Sequence, residues 1–275
     1  MALKLIELQE CQQILLQIAK NFDQICRKHQ IPYFMLGGTM LGAIRHHGFI
    51  PWDDDMDFGI PRPFYQTFIN VAKKELPTEY SILTKENSPS LKKGFIKIQL
   101  KGTKVIEKIF DESDKTFYNG ICIDIFPLDG CQNNSWFDRL RVKINFLLIR
   151  IQEGRFCSLS IRSGIKKHIA QLIKLLPIND NKLSNLINKR IQYWNYNSTS
   201  QIANYYGHWK EKEIMNNEIF GTPKLYSFND LTFYGVEDYD KYLHYLYGEY
   251  NVIPPKEMQI THANEIYVEE KQYPL

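Results

Sequence analysis

Asp53-Asp54-Asp55-Met56-Asp57 sets four acids in five positions. Carboxylates this crowded repel one another unless cations or solvent offset their charge. On a strand, Asp55 and Asp57 point to the same side two residues apart, a spacing able to clamp a hard divalent cation through oxygen. Asp124 stands alone in the apolar run Ile123-Asp124-Ile125-Phe126, where an unpaired charge is costly. A neighbouring strand can bring it beside Asp55 and Asp57. Three carboxylates with Mg²⁺ (or Mn²⁺) can hold a diphosphate, stabilise charge on a transferring phosphoryl group and help deprotonate an acceptor hydroxyl. The same residues also read as a solvated acidic loop with Asp124 at a strand end. A calcium-binding EF-hand does not fit: counted from Asp53, its glycine position is Phe58 and its glutamate position is Phe64.

Upstream, Gly37-Gly38-Thr39 lies between a strand-like run and a helical one, where backbone N–H groups at a helix start can approach a phosphate. Alone, a Gly-Gly pair is simply a turn, and neither a Walker A loop nor G-x-G-x-x-G is present. Arg45, later in that helix, can reach phosphate oxygens as a fork or stand as an exposed helix residue. Lys97, in mid-strand, is a second phosphate candidate. Trp52 offers a face to a base or a quaternary ammonium, or packs in the core. His46, His47, His208 and His262 have no ligand-type spacing to one another or to cysteine and read as surface or packed histidines.

The elements that must position these groups follow from periodicity. Residues 5–28 repeat apolar positions at amphipathic-helix spacing, 33–36 read as a short buried strand, and Thr39 is the expected N-cap of a helix over 40–46. A strand over 56–60 leads into a helix opened by Pro61-Arg62-Pro63. Strands over 81–84, 94–100 and 104–110, the last two joined by Lys101-Gly102, read as a meander. Another strand, 121–126, is expected to stop at Pro127. Residues 136–196 change to long helical stretches with an excess of Arg139, Arg141, Arg150, Arg155, Arg162, Lys166, Lys167 and Lys174. Short strands near 218–220 and 231–236 and a helix over 239–247 follow. The expected divisions are a core over 1–135, a basic helical insert over 136–200, and a C-terminal part over 201–275 that completes the core and pocket.

A chain of 275 residues with 44% hydrophobic and 24% charged residues has ample material for a buried interior. Its net charge of +3 and pI near 8.4 disfavour a dedicated nucleic-acid binder. Five cysteines (Cys11, Cys26, Cys122, Cys131, Cys157) with no C-x-x-C pair suit a reducing cytosol better than a disulfide framework. The first residues lack the order of a signal peptide, and the longest apolar run, 144–151, is interrupted by Asn145 and Arg150. A cytoplasmic protein is expected, in peripheral contact with the inner face of a membrane if the basic stretch meets anionic lipid.

The string from Leu36-Gly37-Gly38-Thr39 through Arg45, Pro51-Trp52 and Asp53-Asp54-Asp55-Met56-Asp57 resembles the signature of the LicD family. Ile123-Asp124-Ile125-Phe126-Pro127-Leu128-Asp129 resembles the family's second block, and residues 239–255 its C-terminal block. The resemblance implies an α/β (α+β) fold with a nucleotidyltransferase-like mixed sheet, here with an added helical subdomain. It implies a metal site of Asp53, Asp55, Asp57 and Asp124, with Asp55, Asp57 and Asp124 catalytic and Asp124 the third acid or the base. Gly37, Gly38, Thr39 and Arg45 would face the donor, with Trp52 and Lys97 as further substrate contacts. The implied donor is CDP-choline or another CDP-alcohol, and the acceptor a glycan of teichoic acid, lipopolysaccharide or capsule, built on a lipid carrier. Phe228-Asn229-Asp230 stands where many members carry Phe-Glu-Gly, and Val236 where they often carry proline, so the C-terminal part of the pocket is expected to differ. Transfer of a nucleoside monophosphate from an NTP and a non-catalytic glycan-binding role remain the alternative readings.

Overall fold

The computed structural model of the chain describes residues 3–88, 94–107, 120–156 and 164–269. After strand β1 (Leu3–Leu5), helix α1 (Leu8–Lys28) starts at a capping box between Glu7 and Glu10 and ends in Arg27 and Lys28, cations at the negative end of its dipole. Its apolar face buries Cys11, Leu15, Ile18, Phe22 and Ile25. The Phe22 ring meets Tyr33, Phe58 and Phe68 at centroid distances of 4.8, 4.8 and 5.2 Å, and this aromatic cluster anchors α1 beneath the sheet.

The elements that follow are β2 (Phe34–Met35), α2 (Gly37–Arg45), β3 (Asp57–Pro61), α3 (Arg62–Glu75), β4 (Tyr80–Leu83), β5 (Ile96–Leu100), β6 (Thr103–Glu107) and β7 (Cys122–Cys131). Three helices come next: α4 (Trp136–Phe156), α5 (Gly164–Leu175) and α6 (Asp180–Ile191). The chain then runs through β8 (Gln201–Ala203), β9 (Ile214–Asn216), α7 (Asn217–Phe220), β10 (Lys224–Phe228), β11 (Leu231–Gly235), α8 (Tyr239–Tyr247) and β12 (Ala263–Glu269). The main sheet has the order β10-β11-β2-β3-β7-β5-β4, with β8 and β9 attached at the far end of β7. Its centre is the parallel pair β3 and β7, in which Asp57 lies opposite Asp124. The mixed α/β class expected from the sequence is the class observed.

Several elements depart from the sequence reading. Residues 96–107 do not form a hairpin of a meander: β5 is flanked by β4 and β7, so both its edges are taken. β6 instead joins β12 and β1 in a separate three-stranded antiparallel sheet. Pro127 does not end β7, because it falls between the stretch paired with β5, which reaches Ile125, and the stretch paired with β8, which begins at Asp129. A residue without an N–H is tolerated in that gap. Residues 217–220 form a short helix rather than a strand, closed at Gly221 with φ +50. Phe110, Cys157 and Arg162 lie outside the described residues; Cys11, Cys26 and Cys131 are free thiols.

Between residues 136 and 191 the described residues form the helices α4, α5 and α6. α4 buries Val142, Phe146 and Ile149, and the Phe146 ring packs 5.3 Å from Tyr205. Arg155 is a tie inside this region: its guanidinium donates to the Asp180 carboxylate at 2.6 Å and to the carbonyls of Ile173, Leu176 and Ile178, all at 3.0 Å. Among the described residues no helix is long and apolar enough to cross a membrane.

Candidate active site

The acids occupy one end of the β3–β7 pair. Only Asp57 of the four-acid run is in the strand, one residue past the start expected at 56; Asp53, Asp54 and Asp55 lie in the preceding loop, and Asp55 and Asp57 each interact electrostatically with Asp124. The loop is fixed from several sides. Gln12 of α1 donates to the Asp53 carbonyl at 2.8 Å, and the Asp124 N–H donates to the Met56 carbonyl at 2.9 Å. Asp54 turns away from the others and accepts the backbone N–H groups of His262 and Ala263 and the His262 ring at 3.3 Å. Burial pushes the Asp54 carboxyl up, but these bonds outweigh it and hold it below the usual carboxylate range. The same hydrogen bond raises the His262 imidazole to about 9. His262, read from the sequence as a histidine without chemistry, is thus the cation that neutralises Asp54.

Asp53, Asp55 and Asp57 are half-buried, and among the described residues none of them is in an ion pair. Burial, reinforced by Asp54 and Asp124, lifts Asp55 to about 6. Burial and mutual repulsion also raise Asp53 and Asp57 well above the ordinary range. Asp124 is not alone in its strand: Lys97, opposite it on β5, pairs with it at 2.7 Å. The cluster therefore holds more carboxyls than its own cations, Lys97 and His262, can offset. Oxygens of Asp53 and Asp54 and a His262 nitrogen fall within 4.8 Å of one another, close enough to share an ion. Among the described residues, Asp55, Asp57 and Asp124 belong to no group brought that close together.

Opposite the acids is the glycine turn. Thr39 is not the N-cap; α2 begins at Gly37, with Leu36 in the capping position and no side chain capping it. The buried Thr39 hydroxyl instead accepts the Asp57 N–H at 2.8 Å, joining the helix start to the first strand residue. The Gly37 N–H donates to Tyr242 Oη at 3.0 Å. Gly37 has φ +49, a conformation that L side chains rarely adopt, and a Cβ there would lie 3.7 Å from both an Asp57 oxygen and Tyr247 Oη. A Cβ on Gly38 would come within 2.8 Å of an Asp53 carboxylate oxygen. Gly38→Ala should therefore displace Asp53 and lower kcat/KM of the transfer reaction about 10- to 100-fold with little change in melting temperature. A steady-state assay paired with a thermal melt checks it, and an Ala variant with full activity would remove Gly38 from the site.

Two expected substrate contacts are placed elsewhere in the local network. Arg45 donates to the Tyr250 carbonyl at 2.8 Å and so fastens the segment after α8. Trp52 packs partly against the core, meets the His46 ring edge-on at 6.2 Å, and accepts from Thr261 through its carbonyl. Asn229, in the departure from the family pattern, has φ +53, forms the β10–β11 turn and donates its N–H to the His47 carbonyl at 2.7 Å. That backbone bond joins the β10–β11 turn to the loop after α2.

Sequence reasoning missed a neighbour of the acids. Glu213 is buried, accepts from the Trp209 N–H at 2.9 Å and from Asn204 at 2.7 Å, and is pushed by burial up to about 7. It clasps the segment 204–213, whose Trp209 meets Tyr247 at a centroid distance of 5.4 Å. No local signal marks these residues, because they reach the acids only through tertiary folding.

Carboxylates thus face each other across adjacent parallel strands, with a strand-to-helix glycine turn opposite them. Residues 30–146 match the family described as LicD/FKTN/FKRP, nucleotidyltransferase domain. It is 28% identical to the lipopolysaccharide cholinephosphotransferase LicD of Haemophilus influenzae over 278 residues, covering 97% of this chain and 100% of the relative. A segment of 46 residues is 48% identical to uncharacterized proteins of Rickettsia prowazekii and Rickettsia typhi, a match confined to 17% of this chain.

Proposed function

We propose that the protein is a metal-dependent transferase that moves phosphocholine from CDP-choline to a sugar hydroxyl of a cell-surface glycan, such as that of lipopolysaccharide, teichoic acid or capsule. The observation that carries this reading is the register of β3 and β7, which sets Asp57 opposite Asp124 beside the glycine turn. The full-length similarity to a cholinephosphotransferase supports the phosphocholine donor.

Asp53, Asp55, Asp57 and Asp124 would hold Mg²⁺ or Mn²⁺, which supplies charge neutralisation for the diphosphate and the developing phosphoryl charge. The Gly38 and Thr39 N–H groups in the first turn of α2 would receive a phosphate oxygen. Asp124, oriented by Lys97, takes the proton of the acceptor hydroxyl as its oxygen attacks the phosphorus remote from cytidine, and CMP leaves. Trp209 and Tyr247 supply aromatic surface beside Asp57 on which a trimethylammonium can rest.

The test is CMP release from CDP-choline, CDP-glycerol and CDP-ribitol with a lipopolysaccharide or teichoic-acid acceptor, each with Mg²⁺ or with EDTA. Release from CDP-choline that EDTA abolishes is the expected result. Pyrophosphate released from an NTP, with every CDP-alcohol left intact, would replace this reading with nucleotidyl transfer.

A further inference from the structure

The basic excess of residues 136–200 divides once the side chains are placed. Arg155 is consumed by its four bonds within the helical region, and Arg141 lies over the Tyr193 ring at 3.6 Å. What remains on α4 is ordered. Trp136, Arg139, Leu140, Lys143, Leu147 and Arg150 recur at helical spacing on one stripe, and all six are exposed. Trp136 is 64% and its neighbour Phe137 75% exposed, large aromatic surfaces that a folded protein rarely leaves in water without use. The stripe is turned away from the buried face of Val142, Phe146 and Ile149.

The two acids of α4 are both off the stripe and engaged. Asp138 is held by Ser135 at the helix start, and Glu153 pairs with Lys210 at 3.3 Å. Among the described residues no carboxylate pairs with Arg139, Lys143 or Arg150. The end of α5, which packs against α4, adds exposed Leu172, Lys174 and Leu175.

We propose that this stripe of α4 is a docking surface for an anionic lipid bilayer, with the helix lying in the plane of the interface. Apolar and cationic side chains alternate along one line, aromatics cluster at its start, and no acid interrupts it. The apolar groups enter the headgroup boundary while the cations meet lipid phosphates, each cation adding about 5-fold to binding. Three cations with no acid among them complement a surface dense in phosphate, which is what an anionic bilayer presents. The inference does not depend on the donor or the acceptor, and its test does not use the enzymatic reaction.

The full chain is sedimented with vesicles of phosphatidylcholine alone and of phosphatidylcholine mixed with phosphatidylglycerol, at low and high salt. Binding at least 10-fold stronger to the anionic vesicles and weakened by salt is expected. Trp136→Ser with Phe137→Ser should lower it about 10-fold or more, and Lys143→Glu with Arg150→Glu about 30-fold or more. The melting temperature should hold in both variants, because the replaced side chains are solvent-facing. Equal partitioning to both vesicles, or variants that bind like the unaltered protein, would overturn the proposal. So would a concentration-dependent dimer that the aromatic substitutions abolish while vesicle binding is absent, since the stripe would then be covered by a second copy of the chain.

Discussion

Asp57→Asn is expected to lower turnover by about 1,000-fold or more while leaving the melting temperature unchanged or higher. The two effects have one cause. Asp57 is raised well above the ordinary carboxylate range by burial and by Asp55, Asp124, Asp53 and Glu213 around it. A neutral amide of the same shape relieves that repulsion in the folded state but weakens the hold on a cation and a diphosphate. The backbone should not move, since its anchors are independent of the side-chain charge: the Asp57 N–H bonds Thr39 at 2.8 Å, and the Asp57 carbonyl accepts from Leu36 at 2.9 Å. Turnover measured beside a thermal melt separates a site residue from a packing residue. An Asn variant within 10-fold of the unaltered enzyme would take Asp57 out of the chemistry, and a variant that fails to fold would make it structural.

The largest loss of stability is expected five residues along β7 from Asp124. Asp129 is 1% exposed and receives both arms of the Arg62 guanidinium, each at 2.6 Å, from the first turn of α3. Asp129→Ala leaves that guanidinium buried without its partner and should cost about 3–5 kcal/mol in urea unfolding. Replacing both members with apolar residues, Arg62→Met with Asp129→Leu, should recover part of the loss, because the unpaired charge is then gone. A single-variant loss under about 1 kcal/mol would show that water reaches the pair. The sequence places Asp124 and Asp129 in one block; the structure gives the first to the site and the second to the joint between α3 and the sheet.

The division between what could be read and what could not follows the range of the interactions. Helices α1, α3 and α8 and strand β11 announce themselves through local periodicity, and the acids and glycine turn were recognisable because their chemistry is compressed into residues 37–57. Asp124 could be assigned to them because a charge inside an apolar strand needs a partner. Lys97 as that partner could not be assigned, since pairing of β5 with β7 is a matter of sheet order. Thr39 misled because its side chain suits a helix cap, yet its hydroxyl is used across the fold on Asp57. Arg45 was equally ambiguous until the Tyr250 carbonyl was placed beside it. β6 was misassigned for a topological reason: a glycine turn predicts that the two strands it joins pair, and only the crowding of β5 by β4 and β7 shows that they do not. His262 and Glu213 carried no local mark at all.

Asp54 and the strand that clasps it are 208 residues apart in the chain, and β12 reaches that point only by lying between β1 and β6. A nascent polypeptide leaving the ribosome must therefore carry its crowded acids unclasped until the last strand emerges. Contacts of such long span close slowly. Newly made molecules should thus gain helix and sheet content before they can turn over substrate, and proteolytic trimming ahead of Ala263 would remove both the strand that joins β1 to β6 and a backbone donor to Asp54.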